Sequence, residues 1–362
     1  MDNIWWRQII KANHFINDIS TNILQGKSII LHLPVFVPWR DTMYDLLEGV
    51  LHMESPEYRL DYIDCPPRER YPSGDVGQFL LEKYCKKEKR SSYRPSETYA
   101  EFLAKSDDIV LNSHYVWIKN VLVDDVEKWG RFIVDYNKNL PKGHSGAVFI
   151  LEVQGNTGRI KQFKGVRYIS MDESIDAYDR YAFCTLASTD VSVPASLRPY
   201  LAELVSSVCQ DDVELCALCI SRWDAFIENP ANCLKTICQD ETRSDGSEFE
   251  PHLDSTTINP LIWEAQIKIL FPIIEKFRSG FIKDHYTAIM NTLPIKNSNG
   301  ETIDNPVDVE LGTLIYLVGQ KRIVLTTKEY ERIDKFRKIR NDLAHLTPVE
   351  YERAKWILNQ DL

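Results

Sequence analysis

The sequence lacks a long hydrophobic run. Its most apolar stretch, residues 28–39, contains one histidine and two prolines and is far shorter than the roughly 20 apolar residues of a membrane-spanning helix. The N-terminal residues MDNIWWRQIIKANHF have no basic start, no unbroken apolar stretch and no small-residue cleavage site, unlike a secretory signal. Cysteine is sparse, with 8 in 362 residues, which argues against a disulfide scaffold. We therefore expect a cytoplasmic protein with reduced thiols and no contact with a membrane.

Positive charge is also in deficit. The chain has 43 Lys and Arg against 53 Asp and Glu, a net charge of −10, which disfavours a protein that coats nucleic acid by bulk attraction. The deficit is uneven, because residues 257–362 hold 15 basic and 14 acidic side chains and the rest of the chain therefore carries −11. A local basic site is thus compatible with the C-terminal part of the chain.

The hydrophobic pattern of the first half predicts alternating strands and helices. Runs typical of strands fall at 28–34, 115–118, 121–123, 147–153 and 166–170. Helical patterns lie between and around them, at 2–25, 41–51, 79–85, 97–103 and 124–134. Asp41 is a candidate cap for the second of these helices. Such alternation indicates an α/β domain with a mostly parallel sheet, which we place at residues 1–195.

The second half is predicted to be helical. Residues 196–240 form a helical extension, and residues 241–256 are polar and acidic, which is typical of a linker. We predict an all-α domain at 257–362. Its helices are expected at 260–289, 309–318, 328–345 and 348–358, with a loop at 294–306. Pro348, together with Thr347 and Glu350, predicts a capping box at the start of the last helix.

Gly26-Lys27-Ser28 matches the end of a nucleotide-binding loop, but its context differs. The glycine expected five residues earlier is replaced by Thr21, and the predicted strand follows the motif instead of preceding it. These departures favour a simple turn between a helix and a strand.

The order of helix, Gly-Lys-Ser turn, strand, turn and helix resembles the opening of AAA or STAND-type P-loop NTPases. The resemblance covers about residues 1–190 and places the phosphate loop at 34–42, PVFVPWRDT. That loop contains no glycine, so its backbone N–H groups cannot wrap closely around a phosphate. Arg40 stands near the position of the family's lysine, and the strand in the magnesium-binding position ends in Lys119 instead of a carboxylate. The resemblance implies a P-loop NTPase-like fold without a working phosphate loop and without a nucleotide cofactor.

One alternative remains for this region. Asp124 and Asp125 lie too far along the chain to replace the missing magnesium carboxylate. An α/β domain of other ancestry explains the same alternation, since fold analogy alone says little about function.

Cys216 and Cys219 form a C-x-x-C pair with Cys209, Cys233 and Cys238 nearby. Structural zinc sites usually combine two short pairs of ligands, and the spacing from Cys233 to Cys238 is too wide for the usual knuckle. Because Cys216 and Cys219 fall on the apolar face of a helical pattern, core packing is favoured over a metal site. We therefore predict no metal, with a thiolate site as the alternative.

The strongest candidate for chemistry is residues 340–345, RNDLAH, at the end of the predicted helix 328–345. This segment has an arginine followed by a polar residue, and a histidine five positions after the arginine. It resembles the R-x4-H motif of HEPN ribonucleases. The resemblance covers about residues 257–362. It implies a metal-independent endoribonuclease whose site is composite in a homodimer. His345 would transfer protons, Arg340 would stabilise the phosphate and Asn341 would position the substrate.

These residue types suit cleavage of RNA by its own 2′-OH. Imidazole transfers protons near neutral pH, because its unperturbed pKa is about 6.5. A guanidinium is permanently charged and can contact two phosphoryl oxygens at once. Asn341 and His345 share a helix face, whereas Arg340 and His345 lie about 140° apart on a straight helix. His345 is therefore expected where the helix ends.

Residues 328–340 contain six basic and three acidic side chains. We predict that Lys335, Arg337 and Lys338 contact RNA phosphates. The alternative is a solvated helix with ion pairs such as Asp334–Lys338 and Glu331–Lys335.

The motif itself also has a structural alternative. Arg340 could pair with Asp342 or Glu350 at the surface, and His345 could cap the helix, where the dipole favours a cation.

HEPN domains fused to NTPase-like modules are common in prokaryotic conflict systems, so the resemblance implies a toxin or antiphage-defence effector acting on RNA. A partner subunit or an antitoxin would then restrain it. The alternatives are a non-catalytic interaction and dimerisation subunit with a pseudo-ATPase scaffold domain, and a nucleotide-responsive switch.

Overall fold

The computed structural model describes residues 1–66, 75–105, 111–155, 160–251, 254–296 and 300–360. These form two compact units, Met1–Asp179 and Arg180–Leu362. The predicted segments 196–240, 241–256 and 257–362 all lie in the second unit. None of the helices in the described ranges is both long enough and apolar enough to cross a membrane.

The first unit is built from a parallel sheet and short helices. A π-helical turn, Ile4–Gln8, opens it. The strands are β1 Ser28–Leu33, β2 Arg59–Asp64, β3 His114–Val121, β4 Val148–Gln154 and β5 Val166–Ser170. The helices are α1 Ile10–Leu24, α2 Arg40–Glu54, α3 Val76–Tyr84, α4 Lys87–Arg90, α5 Tyr99–Lys105, α6 Val123–Asn139 and α7 Met171–Ser174.

The five strands pair in the order β2-β3-β4-β1-β5, and every pair is parallel. The predicted parallel α/β architecture is therefore confirmed. All six residues of β1 are buried, as its continuous apolar run requires for an interior strand. The sequence analysis missed β2, because only Ile63 of this edge strand is fully buried and its other side chains give no apolar run.

A buried carboxylate lies in the middle of this sheet. Glu152 of β4 is 1% exposed and accepts hydrogen bonds from the Tyr44 hydroxyl at 2.7 Å and from the Trp117 indole Nε1 at 2.8 Å. Burial, reinforced by the negative charge of Glu152, raises the pKa of Tyr44. The buried acid is thus provided with donors, as a buried charge must be.

The turns around β1 differ in part from the prediction. Gly26 has φ +70° between α1 and β1, which confirms that Gly-Lys-Ser is a helix-to-strand turn. Asp41 is not a cap, because α2 already begins at Arg40 after Trp39 in the left-handed region. The backbone just before α2 is held by Trp6 of the N-terminal π-helical turn. Its indole donates to the carbonyl oxygens of Pro38 and Trp39 at 3.0 and 3.2 Å.

The second unit is a set of packed helices. They are α8 Ala177–Ala187, which begins at the end of the first unit, α9 Arg198–Cys209, α10 Val213–Ser221, α11 Trp223–Glu228, α12 Pro230–Asp240, α13 Ser255–Asp284, α14 Tyr286–Met290, α15 Leu311–Gly319, α16 Thr327–Ala344 and α17 Tyr351–Leu358. Two short strands, β6 Ile295–Lys296 and β7 Thr302–Ile303, pair antiparallel, so the C-terminal segment is not entirely α-helical. The predicted loop 294–306 contains this pair, and its residues 297–299 lie outside the described ranges.

Helix α13 organises this unit. It packs against α9, α16 and α17. Phe277 of α13 stacks on Phe336 of α16 with ring centroids 3.8 Å apart, and Phe336 also meets Trp356 of α17 at 5.2 Å. Aromatic contacts of this kind add to the free energy of burial, so α16 is held firmly against α13.

The polar segment before α13 packs on α10. Arg243 donates to the Asp212 carboxylate at 2.7 Å, and the Ser244 N–H donates to Glu214 at the same distance. Phe249 is buried. The ion pair of Arg243 and the burial of Phe249 therefore attach this polar segment to the second unit.

Candidate active site

Helix α16 carries the Arg-Asn-His motif. Thr326 and Glu329 form a reciprocal capping box at its start, which satisfies backbone N–H groups that a helix leaves unpaired. Ile333, Phe336, Ile339 and Leu343 are its buried residues. Their spacings of three, three and four define one apolar face, and this face sets the rotation of the helix and hence where Arg340 points.

His345 lies where α16 ends, as the sequence predicts. It is the residue after the last helical position, and its N–H donates to the carbonyl oxygen of Asn341 at 3.0 Å. The next residue, Leu346, has φ +56° and turns the chain out of the helix. The His345 side chain is exposed. Within the part of the chain that the structure describes, its ring and the Asn341 amide have no hydrogen-bond partner.

Arg340 has a charge partner that the sequence analysis did not identify. Its Nη2 donates to Glu310 Oε2 at 2.7 Å, and Glu310 is the residue that precedes α15. Asp342 instead pairs with Arg353 at 2.6 Å, so the alternative pairing of Arg340 with Asp342 or Glu350 is wrong. The Arg340 side chain is 34% exposed, which leaves part of it accessible from solvent.

Two side chains of α13 hold the backbone on either side of His345. The Trp263 indole donates to the Leu343 carbonyl oxygen at 2.7 Å. Gln266 donates through Nε2 to the Val349 carbonyl oxygen at 2.8 Å, and its Oε1 accepts from the Val349 N–H at 2.6 Å. Gln266 is 1% exposed. Trp263 and Gln266 lie three residues apart on one helix face and fix the path of the chain around His345.

The predicted start of the last helix is wrong. Val349 is instead hydrogen-bonded to Gln266 through its N–H and its carbonyl oxygen. Helix α17 begins at Tyr351, after Glu350, with no side-chain cap. The sequence analysis missed Gln266. The only sequence feature that could have indicated its role is that it is an amide among the apolar residues of a long predicted helix.

The predicted phosphate-binding cations are partly neutralised. Arg337 and Lys338 both pair with Asp334, at 2.7 and 2.8 Å, so the Asp334–Lys338 pair is confirmed. The hydrogen bond from Lys338, and to a smaller extent that from Arg337, lowers the pKa of the Asp334 carboxyl. Lys335 does not pair with Glu331 and instead lies over the Trp356 ring, 5.1 Å from its centroid.

The four cysteines at the meeting of α8, α9 and α10 are core residues. Cys184, Cys209, Cys216 and Cys219 are buried, and the sulfurs of Cys209 and Cys219 lie 3.6 Å apart. Burial raises the pKa of the Cys184 and Cys209 thiols, whereas hydrogen bonds from these two thiols lower the pKa of Cys216. No group of three or more His, Cys, Asp or Glu side chains among the described residues is arranged to hold a metal ion.

Arg40 and Lys119, the two cations at the predicted phosphate-binding and magnesium-binding positions, make local contacts. Arg40 Nη2 approaches the Val35 carbonyl oxygen at 3.4 Å. Lys119 Nζ lies over the rings of Tyr44 and Tyr62, 4.0 and 4.5 Å from their centroids. Both cations are therefore held by their own neighbours at the carboxyl ends of β1 and β3.

No protein-family model matches this chain, and no curated protein is significantly similar to it. Since a fold hosts many functions, function has to be argued from the side chains described above.

Proposed function

We propose that this protein is a metal-independent endoribonuclease of the HEPN type, with His345, Arg340 and Asn341 as its active-site residues. One observation carries the proposal. His345 presents an exposed imidazole at the end of α16, five residues after a partly exposed guanidinium on the same helix, and the backbone on both sides of His345 is hydrogen-bonded to α13. A site whose backbone is fixed by buried hydrogen bonds is suited to catalysis, because little reorganisation is needed during reaction.

The reaction follows from these groups. His345 takes the proton of a ribose 2′-OH, the 2′-oxygen forms a bond to the adjacent phosphorus, and the bond from phosphorus to the 5′-oxygen breaks. The departing 5′-oxygen receives a proton, for which His345 of a second copy is the donor. Arg340 binds the charged phosphoryl oxygens. The products are a 2′,3′-cyclic phosphate and a 5′-hydroxyl, so atoms and protons balance without a co-reactant.

The remaining parts of the proposal concern assembly and biology. A homodimer through the C-terminal helices brings two motifs into one cleft. The parallel sheet of the first unit, with β1 in its interior and a glycine-free turn before α2, supports a P-loop NTPase-like scaffold without a working phosphate loop. Together these features suit a cytoplasmic toxin or antiphage-defence effector whose activity a partner subunit or antitoxin restrains.

Incubation of the purified chain with a single-stranded RNA in excess EDTA tests the reaction. We expect cleavage at the same rate as without the chelator, with 2′,3′-cyclic phosphate and 5′-hydroxyl ends on the fragments. Mass spectrometry of the fragments identifies these ends. Absence of turnover, cleavage that EDTA abolishes, or 5′-phosphate ends would each contradict the proposal.

A specific observation favours a second candidate, a non-catalytic interaction subunit. Arg340 is paired with Glu310, and Arg337 and Lys338 are paired with Asp334, so the cations are neutralised as they are on an ordinary solvated helix. Binding of RNA or of a second copy without turnover would support this candidate.

Asp334→Asn is expected to tighten RNA binding about threefold, because it frees Arg337 and Lys338 for phosphates and makes the dependence on salt steeper. Fluorescence anisotropy of a labelled oligoribonucleotide at two salt concentrations measures both effects.

Asp308→Asn is the control for Asp334→Asn. It removes the same charge from an exposed turn, where Asp308 has no cationic partner among the described residues. If both variants tighten binding equally, the effect is one of net charge and the assignment of Arg337 and Lys338 is wrong.

A further inference from the structure

A cavity of about 290 Å³ lies between the C-terminal part of α13 and the first turns of α16. Phe277 and Phe281 of α13 line it together with His285, the residue after α13, at intervals of four residues. The rings of Phe281 and His285 are in contact, with centroids 4.4 Å apart. We call this space the α13–α16 cavity. It contains none of the three residues of the proposed active site.

The rim of the α13–α16 cavity carries both signs of charge. Lys276 and Arg332 contribute cations, and Asp284 and Glu329 contribute carboxylates. The Arg332 guanidinium carbon lies 5.2 Å from the centroid of the Phe277 ring. The two carboxylates disfavour binding of a bare anion. The four charged side chains of the rim together disfavour a purely apolar ligand. A flat heterocycle with both hydrogen-bond donors and acceptors fits this combination best.

We propose that the α13–α16 cavity binds one base of a single-stranded RNA, an inference that rests on the proposed function. The base stacks against the aromatic side of the cavity, at Phe281 and His285. Its amino group donates to the carboxylates of the rim, while its ring nitrogens and carbonyl oxygens accept from the cations. Unpaired bases are commonly recognised in this way, by an aromatic face and hydrogen bonds at the base edge.

The cavity is placed so that one RNA strand can reach both it and the active site. Arg332 at the cavity and Arg340 at the motif are eight residues apart on α16, or about 12 Å along the helix axis. A base held in the cavity would therefore select which phosphate of the strand lies at Arg340 and His345.

Gly280 offers a way to fill the cavity without disturbing the helix. It lies on the cavity wall, and a Cβ atom built there meets no atom within 4 Å apart from its chain neighbours and the nearby backbone of its own helix. Gly312 of α15 is a matched control, because it is also helical, exposed and without a neighbour within 4 Å of a Cβ. Gly280→Phe places a ring at the cavity, whereas Gly312→Phe adds the same ring elsewhere.

The test measures anisotropy of a labelled single-stranded oligoribonucleotide in EDTA, with His345→Ala present in every protein to prevent cleavage. We expect Gly280→Phe to weaken binding about tenfold, the loss of one stacked base, and Gly312→Phe to leave binding unchanged. Thermal melting and circular dichroism verify that both variants fold. Equal affinities of the two variants would overturn the proposal.

A second arm separates a base of RNA from a free nucleoside. Adenosine and cytidine are titrated by calorimetry into the protein with Gly280 intact. Weak binding of a nucleoside that Gly280→Phe abolishes, together with weakened RNA binding, supports the proposal. If Gly280→Phe abolishes nucleoside binding and leaves RNA binding unchanged, the cavity serves a free nucleoside and the proposal is overturned.

Failure of this inference is distinguishable from failure of the proposed function. RNA cleavage in EDTA with no effect of Gly280→Phe on binding overturns the base site alone. Binding that depends on Gly280 without any cleavage by the wild-type chain overturns the nuclease alone and supports the base site.

Discussion

His345→Ala is expected to slow RNA cleavage by about 10²- to 10⁴-fold, because it removes the group that takes the proton from the 2′-OH. The folded structure should survive, since the His345 side chain is exposed and its ring makes no hydrogen bond within the described residues. Single-turnover cleavage of a labelled RNA, compared with the wild-type rate at the same pH, measures the effect.

His14→Ala provides the matched control. His14 is also an exposed histidine on a helix, α1 of the first unit, so its loss should leave the cleavage rate unchanged. Arg340→Lys completes the series, because a lysine keeps the charge but loses the planar contact with two phosphoryl oxygens. Retention of the full rate by His345→Ala in a folded protein would exclude this residue as the base and, with it, the proposed active site.

Gln266→Leu is expected to lower the free energy of unfolding by about 2–5 kcal/mol. Leucine has nearly the same size but leaves both the N–H and the carbonyl oxygen of Val349 buried without their partner, at about 1–3 kcal/mol for each group. The Tyr200 hydroxyl, to which Gln266 also donates at 2.9 Å, loses its partner as well. Urea denaturation measures the effect as a shift of the midpoint.

The same change should also affect catalysis. Gln266 touches no reacting atom and acts as a positioning residue for the segment after His345. We therefore expect Gln266→Leu to lower kcat more than it raises KM, measured well below the unfolding temperature. Gln320→Leu is the control, because Gln320 is exposed at the end of α15. Equal urea midpoints of the two variants would contradict the role of Gln266.

Much of the fold was predictable because its patterns are local. The apolar run of β1 and the spacing of Ile333, Phe336, Ile339 and Leu343 in α16 depend on side chains a few residues apart. A strand buried on both faces and a helix buried on one face each produce a periodic pattern. Edge strand β2 was missed because it is buried on neither face along most of its length.

The sequence by itself determined the parallel α/β unit, the helical second half and the position of His345 at the end of a helix. Only the tertiary structure decided what surrounds the motif. Glu310 lies 30 residues before Arg340, and Val349 lies 83 residues after Gln266. Such partners leave no trace in local periodicity, because they are joined through the packing of separate helices. The α13–α16 cavity likewise exists only because α16 packs against α13, so the sequence alone did not reveal it.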